Sequence, residues 1–302
     1  MPWKGADGRP CPAARAAVEL ALLDVYARHF DRPLTDVAGW MGLGGFGPPG
    51  STRSLRYSGV LASDSLRSTL RTLRLLWWYG LRHFKLKVGL PDDVERVRTV
   101  ARWLGSALRR GRATLRLDAN GAWTTERAVA VLTELADLPL AGVEQPLAKG
   151  NEADLTHLRR IHTPPIIHDE SLITMNDARS LADRQLADGF NIRISKCGGL
   201  LPSLRLARFA RQHGVLVQLG CMVGETSILS AAGRAFLEMV PQVVFAEGWF
   251  GSFLLSEDVV RRPLRFGYGG RGRSLAGPGW GVTVDPNRLH ALAADRATQL
   301  TL

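Results

Sequence analysis

Short β-like runs alternate with amphipathic helical stretches from about residue 55 onward, and this alternation constrains the chain more than any other feature. The runs span residues 55–62, 82–88, 114–118, 142–144, 165–167, 190–194, 215–219 and 243–246. Between them lie helical segments at 65–79, 92–109, 125–136, 177–187, 201–213 and 227–237. Asp92-Asp93 after Pro91, and Thr124-Thr125 before Glu126, supply helix starts, because short polar side chains accept from the free N–H groups of a first turn. Strands separated by helical crossovers read as parallel βαβ units. Eight such units in the 248 residues from 55 to 302 match a (β/α)8 TIM barrel, here a modified (β/α)7β form, which needs about 250 residues. A doubly wound open sheet is the alternative.

The flanks differ from the middle. Residues 13–30 carry Val18, Ala21, Leu22 and Val25 at helical spacing, and Pro33 begins a shorter piece. Gly42 to Gly50 is a breaker-rich loop whose glycine spacing is wrong for a dinucleotide motif, and Pro48-Pro49 blocks the helix such a motif must open. After the last strand, residues 266–281 are rich in Gly, Arg and Pro, and a short helix follows near 286–293. The expected division is a partial helical cap at 1–54, a catalytic barrel at 55–265, and a tail at 266–302 that packs on the cap.

Composition removes several function classes. No run of about 18 uncharged apolar residues is present, so no membrane span is expected. The start, Met1-Pro2-Trp3-Lys4-Gly5, lacks the apolar stretch of a signal peptide, and a cytoplasmic protein is expected. Cys11, Cys197 and Cys221 are too few and too scattered for a disulfide framework or a zinc knuckle. The net charge is +11, but 34 of the 39 basic residues are arginines spread along the chain, with no nucleic-acid module beside them. No nucleic-acid partner is expected. The other five are lysines, so a lysine at a strand end invites a chemical reason.

Polar residues recur at the C-terminal ends of the runs. Lys87 to Asp118 is 31 residues, Asp118 to Glu144 is 26, Glu144 to Asp169 is 25, Asp169 to Lys196 is 27, and Lys196 to Cys221 is 25. Each step is about one βα unit, and in a barrel these ends share one face where active sites are built. Asp118, Glu144 and Asp169 are hard oxygen donors suited to Mg2+. Taken singly, each has a bland alternative as a cap, turn or loop charge; their regular spacing favours a joint role. Lys85 and Lys87, two apart, share one strand face, and a neighbouring cation lowers a lysine pKa toward the range useful for a base. Lys87 is then the base and Lys85 its tuner, with Lys196 across the mouth. Removing the α-proton of a carboxylate needs this combination: a cation on the carboxylate oxygens stabilises the enediolate, and bases on both faces permit racemisation.

Lys85-Leu86-Lys87, Asp118-Ala119-Asn120, Glu144-Gln145-Pro146, Asp169-Glu170-Ser171 and Lys196-Cys197-Gly198-Gly199 together resemble the enolase superfamily. The likeness is strongest to its muconate-lactonising-enzyme-like group of dipeptide epimerases, o-succinylbenzoate synthases and cycloisomerases, over about residues 12 to 290. It implies that Asp118, Glu144 and Asp169 bind Mg2+, with Mn2+ as a substitute, and that Lys87 and Lys196 are the acid/base pair. It favours Asp169 over Glu170 as the ligand, with Asn120 and Gln145 as supporting or substrate contacts. The segment Gly220-Cys221-Met222-Val223-Gly224-Glu225-Thr226 is similar to that of dipeptide epimerases, which adds Cys221 and Glu225 to the candidate contacts. Glu247 stands where an Asp-x-Asp pair is expected for a substrate ammonium, and is a partial substitute. The antiparallel sheet of the family's cap is expected to be missing, since this chain starts near the cap helices. The implied activity is a racemase or epimerase acting on a small carboxylate, in a homo-oligomer. Syn-elimination, cycloisomerisation, or a non-catalytic barrel with an incomplete cap are the alternatives.

Overall fold

The computed structural model describes residues 10–43, 56–161 and 163–293. Among these, eight parallel strands form one sheet in the order β1 to β8. They are β1 (Gly59–Leu61), β2 (His83–Lys87), β3 (Thr114–Asp118), β4 (Gly142–Glu144), β5 (Ile166–His168), β6 (Gly189–Ile192), β7 (Leu216–Leu219) and β8 (Val243–Ala246). The sheet closes on itself where Tyr57 bridges Ala246 and the Ser58 N–H donates to the Ala246 carbonyl at 2.8 Å. A parallel pair needs a crossover, and each gap holds a helix. α1 (Pro12–His29) and α2 (Val37–Trp40) precede the sheet. The crossovers are α3 (Leu66–Trp78), α4 (Asp93–Arg109), α5 (Thr125–Glu134), α6 (Leu155–Leu158), α7 (Met175–Asp183), α8 (Leu200–Gln212) and α9 (Ser227–Met239), and after β8 come α10 (Gly251–Leu254) and α11 (Pro286–Ala293).

Alternation along each strand sorts the side chains. Phe84, Leu86, Leu115, Leu117 and Val143 are fully buried, in the core that the strands share with Leu73, Val97, Val100 and Val131 of the surrounding helices. Each such side chain contributes about 1.5–3 kcal/mol. The interior face carries Ile167 between two glycines: a Cβ at Gly142 would stand 2.8 Å from its Cδ1. Asp93, at the start of α4, accepts from the Gly89 and Leu90 N–H groups at 3.0 Å and from Trp123 Nε1 at 2.8 Å. It thereby ties the loop after β2 to the loop after β3.

The segment around Trp280 packs on α1. Trp280 Nε1 donates to the Leu20 carbonyl at 3.0 Å, the Trp280 N–H to Asp24 at 3.0 Å, and Arg28 to the Val282 carbonyl at 2.8 Å. On the other side Glu19 accepts from the Leu201 N–H at 3.3 Å, so a carboxylate of α1 sits at the start of α8. That approach needs Gly199, whose φ is +121° and whose Cβ would collide with the Glu19 carboxylate.

Several expectations change. The Val18, Leu22 and Val25 stripe of α1 faces outward, Leu22 being 65% exposed; Ala16, Leu20 and Ala27 face in. Apolar residues lie on both sides of this helix, so periodicity alone did not choose the face. β6 ends at Ile192 instead of residue 194, leaving Lys196 in the turn before α8. α7 ends at Asp183, with Gln185 at φ +53°. α4 is kinked at Gly105 (φ +52°), and α6 was not expected from the sequence. The glycine-rich loop from residue 44, and Leu55, lie outside the described residues.

Candidate active site

Lys85 and Lys87 alternate with Phe84 and Leu86 along β2, so both point into the barrel. The register sets Lys85 beside Arg116, Lys87 beside Asp118, and Asp118 beside Glu144, which brings these side chains to one interior. Lys85 Nζ lies 2.7 Å from Glu247 Oε2, 3.0 Å from Asp118 Oδ2 and 3.3 Å from Glu144 Oε1, with 3% of the side chain exposed. Lys87 Nζ donates to the same Asp118 oxygen at 2.6 Å and to Asn120 Oδ1 at 2.5 Å, and its side chain is 30% exposed to the mouth.

The charges set one another. Burial works against the charged form of Lys85, but Glu144, Glu247 and Asp118 outweigh it and push its pKa up. Burial works against the Asp118 carboxylate, and Lys85 and Lys87 overcome it, holding the group at about 2. Burial pushes Glu144 up, opposed by Lys85; its oxygens also accept from Asn191 Nδ2 at 2.8 Å and Gln218 Nε2 at 2.7 Å.

Lys196 stands on the opposite side, since β6 is four strands from β2 in an eight-strand ring. Its Nζ donates to Asp169 Oδ1 at 2.6 Å and to the Asn191 carbonyl at 3.1 Å. Arg193 pairs with the other oxygen of Asp169. Burial lowers the Lys196 pKa to about 8, near the range where an amine both gives and takes a proton at neutral pH.

Supporting groups line the strand ends. Asn120 (φ +45°) and Gln145 (φ +39°) both adopt left-handed backbone just after β3 and β4, a conformation that persists only where surroundings enforce it. Gln145 is buried; its Oε1 accepts from the Asp169 and Ser171 N–H groups at 3.0 and 3.1 Å, fixing the turn that carries Asp169. Asn120 Nδ2 donates to Glu170 at 3.2 Å. Cys221 and Glu225 lie with Arg193, Met222, Glu247 and Trp249 around a narrow cleft between β6 and β8.

In that cleft Glu225 accepts from Ser230 Oγ at 2.9 Å, and burial, the larger influence, raises its pKa to about 7. A carboxyl that keeps its proton longer when folded supports the fold fully below its ordinary value of 4.5, and that support is lost as pH rises through about 7. Glu225→Gln mimics the protonated form. Its melting temperature should match the wild type at pH 5 and exceed it at pH 8; equal values at both would refute the shift.

The acids suit Mg2+ by donor type: three buried carboxylates stand at or just beyond the ends of three consecutive strands. Their present partners are cations. Lys85 bridges Asp118 and Glu144, while Lys196 and Arg193 hold Asp169, and among the described residues no three His, Cys, Asp or Glu side chains are grouped so as to hold a metal ion. The alternation rule could have found Arg116, two residues before Asp118, and Gln218, two before Gly220. The same rule places Asn191 and Arg193, which alternate with the core residues Phe190, Ile192 and Ile194, on the inner side of β6 and the turn after it.

Residues 70–288 match the family described as Enolase C-terminal domain-like. The chain belongs to that family. It is 32% identical over 288 residues to muconate cycloisomerase 1-2 of Acinetobacter lwoffii, covering 93% of this chain and 70% of that protein. L-Ala-D/L-Glu epimerase of Escherichia coli strain K12 is 33% identical over 238 residues, covering 79% of this chain and 67% of the epimerase. A crystal structure of the Pseudomonas fluorescens muconate lactonizing enzyme complexed with muconolactone superposes with a TM-score of 0.81 at 28% identity, over 94% of this chain and 73% of that one. The chain is thus an enolase-superfamily enzyme of the muconate-lactonising-enzyme-like group, with a barrel like those of its relatives. Such enzymes generally use Mg2+. No helix among the described residues is long and apolar enough to cross a membrane.

Proposed function

We propose that this enzyme abstracts the α-proton of a small carboxylate substrate between Lys87 and Lys196, and that its reaction is racemisation or epimerisation. The observation that carries this reading is the placement of the two ammonium groups on β2 and just after β6, on opposite sides of one mouth with buried acids between them. Asp118, Glu144 and Asp169 would hold Mg2+, which supplies positive charge for the carboxylate oxygens as the α-proton leaves.

The protein's own steps are proton transfers. Neutral Lys87 Nζ takes the α-proton, and the C–H electron pair spreads onto the carboxylate. Lys196 Nζ, protonated, returns a proton to the opposite face, which inverts the carbon. Lys87 then carries the proton and Lys196 does not, which is the starting state for the reverse direction. Asn120 orients Lys87, and Gln145 holds the Asp169 turn.

Cycloisomerisation is the second reading. Muconate cycloisomerases match 93% of this chain, against 79% for the Escherichia coli epimerase. Recovered substrate from D2O separates the two classes of outcome. Inversion with deuterium at the α-carbon is expected; ring closure or loss of water without inversion would move the assignment to the other branch.

A further inference from the structure

Glu247 directly follows β8, the position at which the family resemblance implies an acid for a substrate ammonium. Its surroundings give it a different task. One oxygen accepts from Lys85 Nζ at 2.7 Å and the other from Arg116 Nη2 at 2.8 Å, and the residue is 4% exposed. Arg116 is itself fully buried on the inner face of β3, lies 4.0 Å over the Phe245 ring, and reaches Ser58 Oγ at 3.4 Å. A guanidinium enclosed in a barrel needs a counter-ion, and among the described residues Glu247 is its only ion-pair partner within 4 Å. The cleft beside Glu247 adds the Arg193 guanidinium, which is paired with Asp169, the Glu225 carboxyl, and the apolar walls of Leu219, Leu229, Met222 and Trp249. Glu225 accepts from Ser230 Oγ and burial favours its neutral form, while Glu247 is held by two cations, so the lining offers an ammonium little negative charge and accepts a neutral or anionic group.

We propose that Glu247 is the internal counter-ion of Arg116 and Lys85 rather than a substrate ligand, so that the site takes carboxylate substrates whose far end carries no ammonium. The substrate half rests on the proton-abstraction reading above; the counter-ion half does not.

Two measurements test the halves separately. The first compares deuterium uptake at the C-terminal α-carbon of L-Ala-L-Leu and N-acetyl-L-Ala-L-Leu in D2O with Mg2+, two compounds that differ at the amino end. Uptake should be at least about tenfold faster for the acetylated peptide, one lost charge contact of roughly this size; faster uptake by the free dipeptide overturns the substrate half. The second is a thermal double-mutant cycle of Glu247→Gln, Arg116→Met and the double variant. Each single change should lower the melting temperature by about 5–15 °C, or prevent folding, because it strands a buried charge, and the double variant should recover much of the loss. An unchanged melting temperature for E247Q, or purely additive losses, overturns the counter-ion half. If neither peptide exchanges while the cycle shows coupling, the substrate half falls with the proton-abstraction reading and the counter-ion assignment stands.

Discussion

Lys196→Met should reduce inversion at the α-carbon by at least about a thousandfold, the upper part of the range for a positioned proton donor. Lys87→Met should do the same. The two variants are expected to fail differently. With Lys196 gone, Lys87 still faces one side of the substrate, so the enantiomer presenting its proton to Lys87 should exchange it for deuterium without inverting. Lys87→Met should show the mirror behaviour with the other enantiomer. Proton NMR in D2O, run on each enantiomer separately, reads both outcomes. Methionine keeps the length and bulk of lysine while removing the charge. Lys196 also ties Asp169 and the Asn191 carbonyl together, so a melting curve must accompany each rate. Inversion that persists within tenfold in either variant would remove that lysine from the chemistry.

The legible part of this site is the part set by alternation. Lys85, Lys87, Asp118 and Glu144 lie on strands whose outward residues are apolar, so a period of two fixes their direction before any coordinate is known. Asp169 and Lys196 follow from the repeat of about 25 to 31 residues, although Lys196 sits in a turn and not on the strand. That turn is dictated locally: Gly198 and Gly199 have φ of +86° and +121°, conformations that end a strand and open α8.

What alternation could not supply is pairing across the ring. Arg116 and Glu247 are 131 residues apart, and their bond exists because β3 and β8 curve around one interior. Lys85, expected from its spacing to tune Lys87, is enclosed among three carboxylates, two of them candidate metal ligands. α1 carries Ala16, Leu20 and Ala27 inward and Val18, Leu22 and Val25 outward, so apolar residues on both sides leave its buried face unmarked by spacing. α6 escaped because four residues, Leu155–Leu158, are too few to show a helical period.

Magnesium should bind this chain once, at the three acids, and the second large effect is its loss. Asp118→Asn or Glu144→Gln removes a charged oxygen from a set of three, and affinity should fall by at least about a hundredfold; even partners behind metal ligands cost 10–100-fold. At a hundred times its Kd, Mg2+ should stabilise the wild type by about 2.7 kcal/mol, and the variants should lose that gain. The ion must displace ammonium and guanidinium partners that the acids hold in this structure, so affinity should weaken as Lys196 takes up its proton below about pH 8. The convergence of acids between opposed lysines is tested most directly by titration calorimetry of Mg2+ into wild type, D118N and E144Q at pH 8. One ion per wild-type chain, with weak or undetectable binding in both variants, is the predicted result. Equal binding by all three proteins, or none by the wild type, would contradict it.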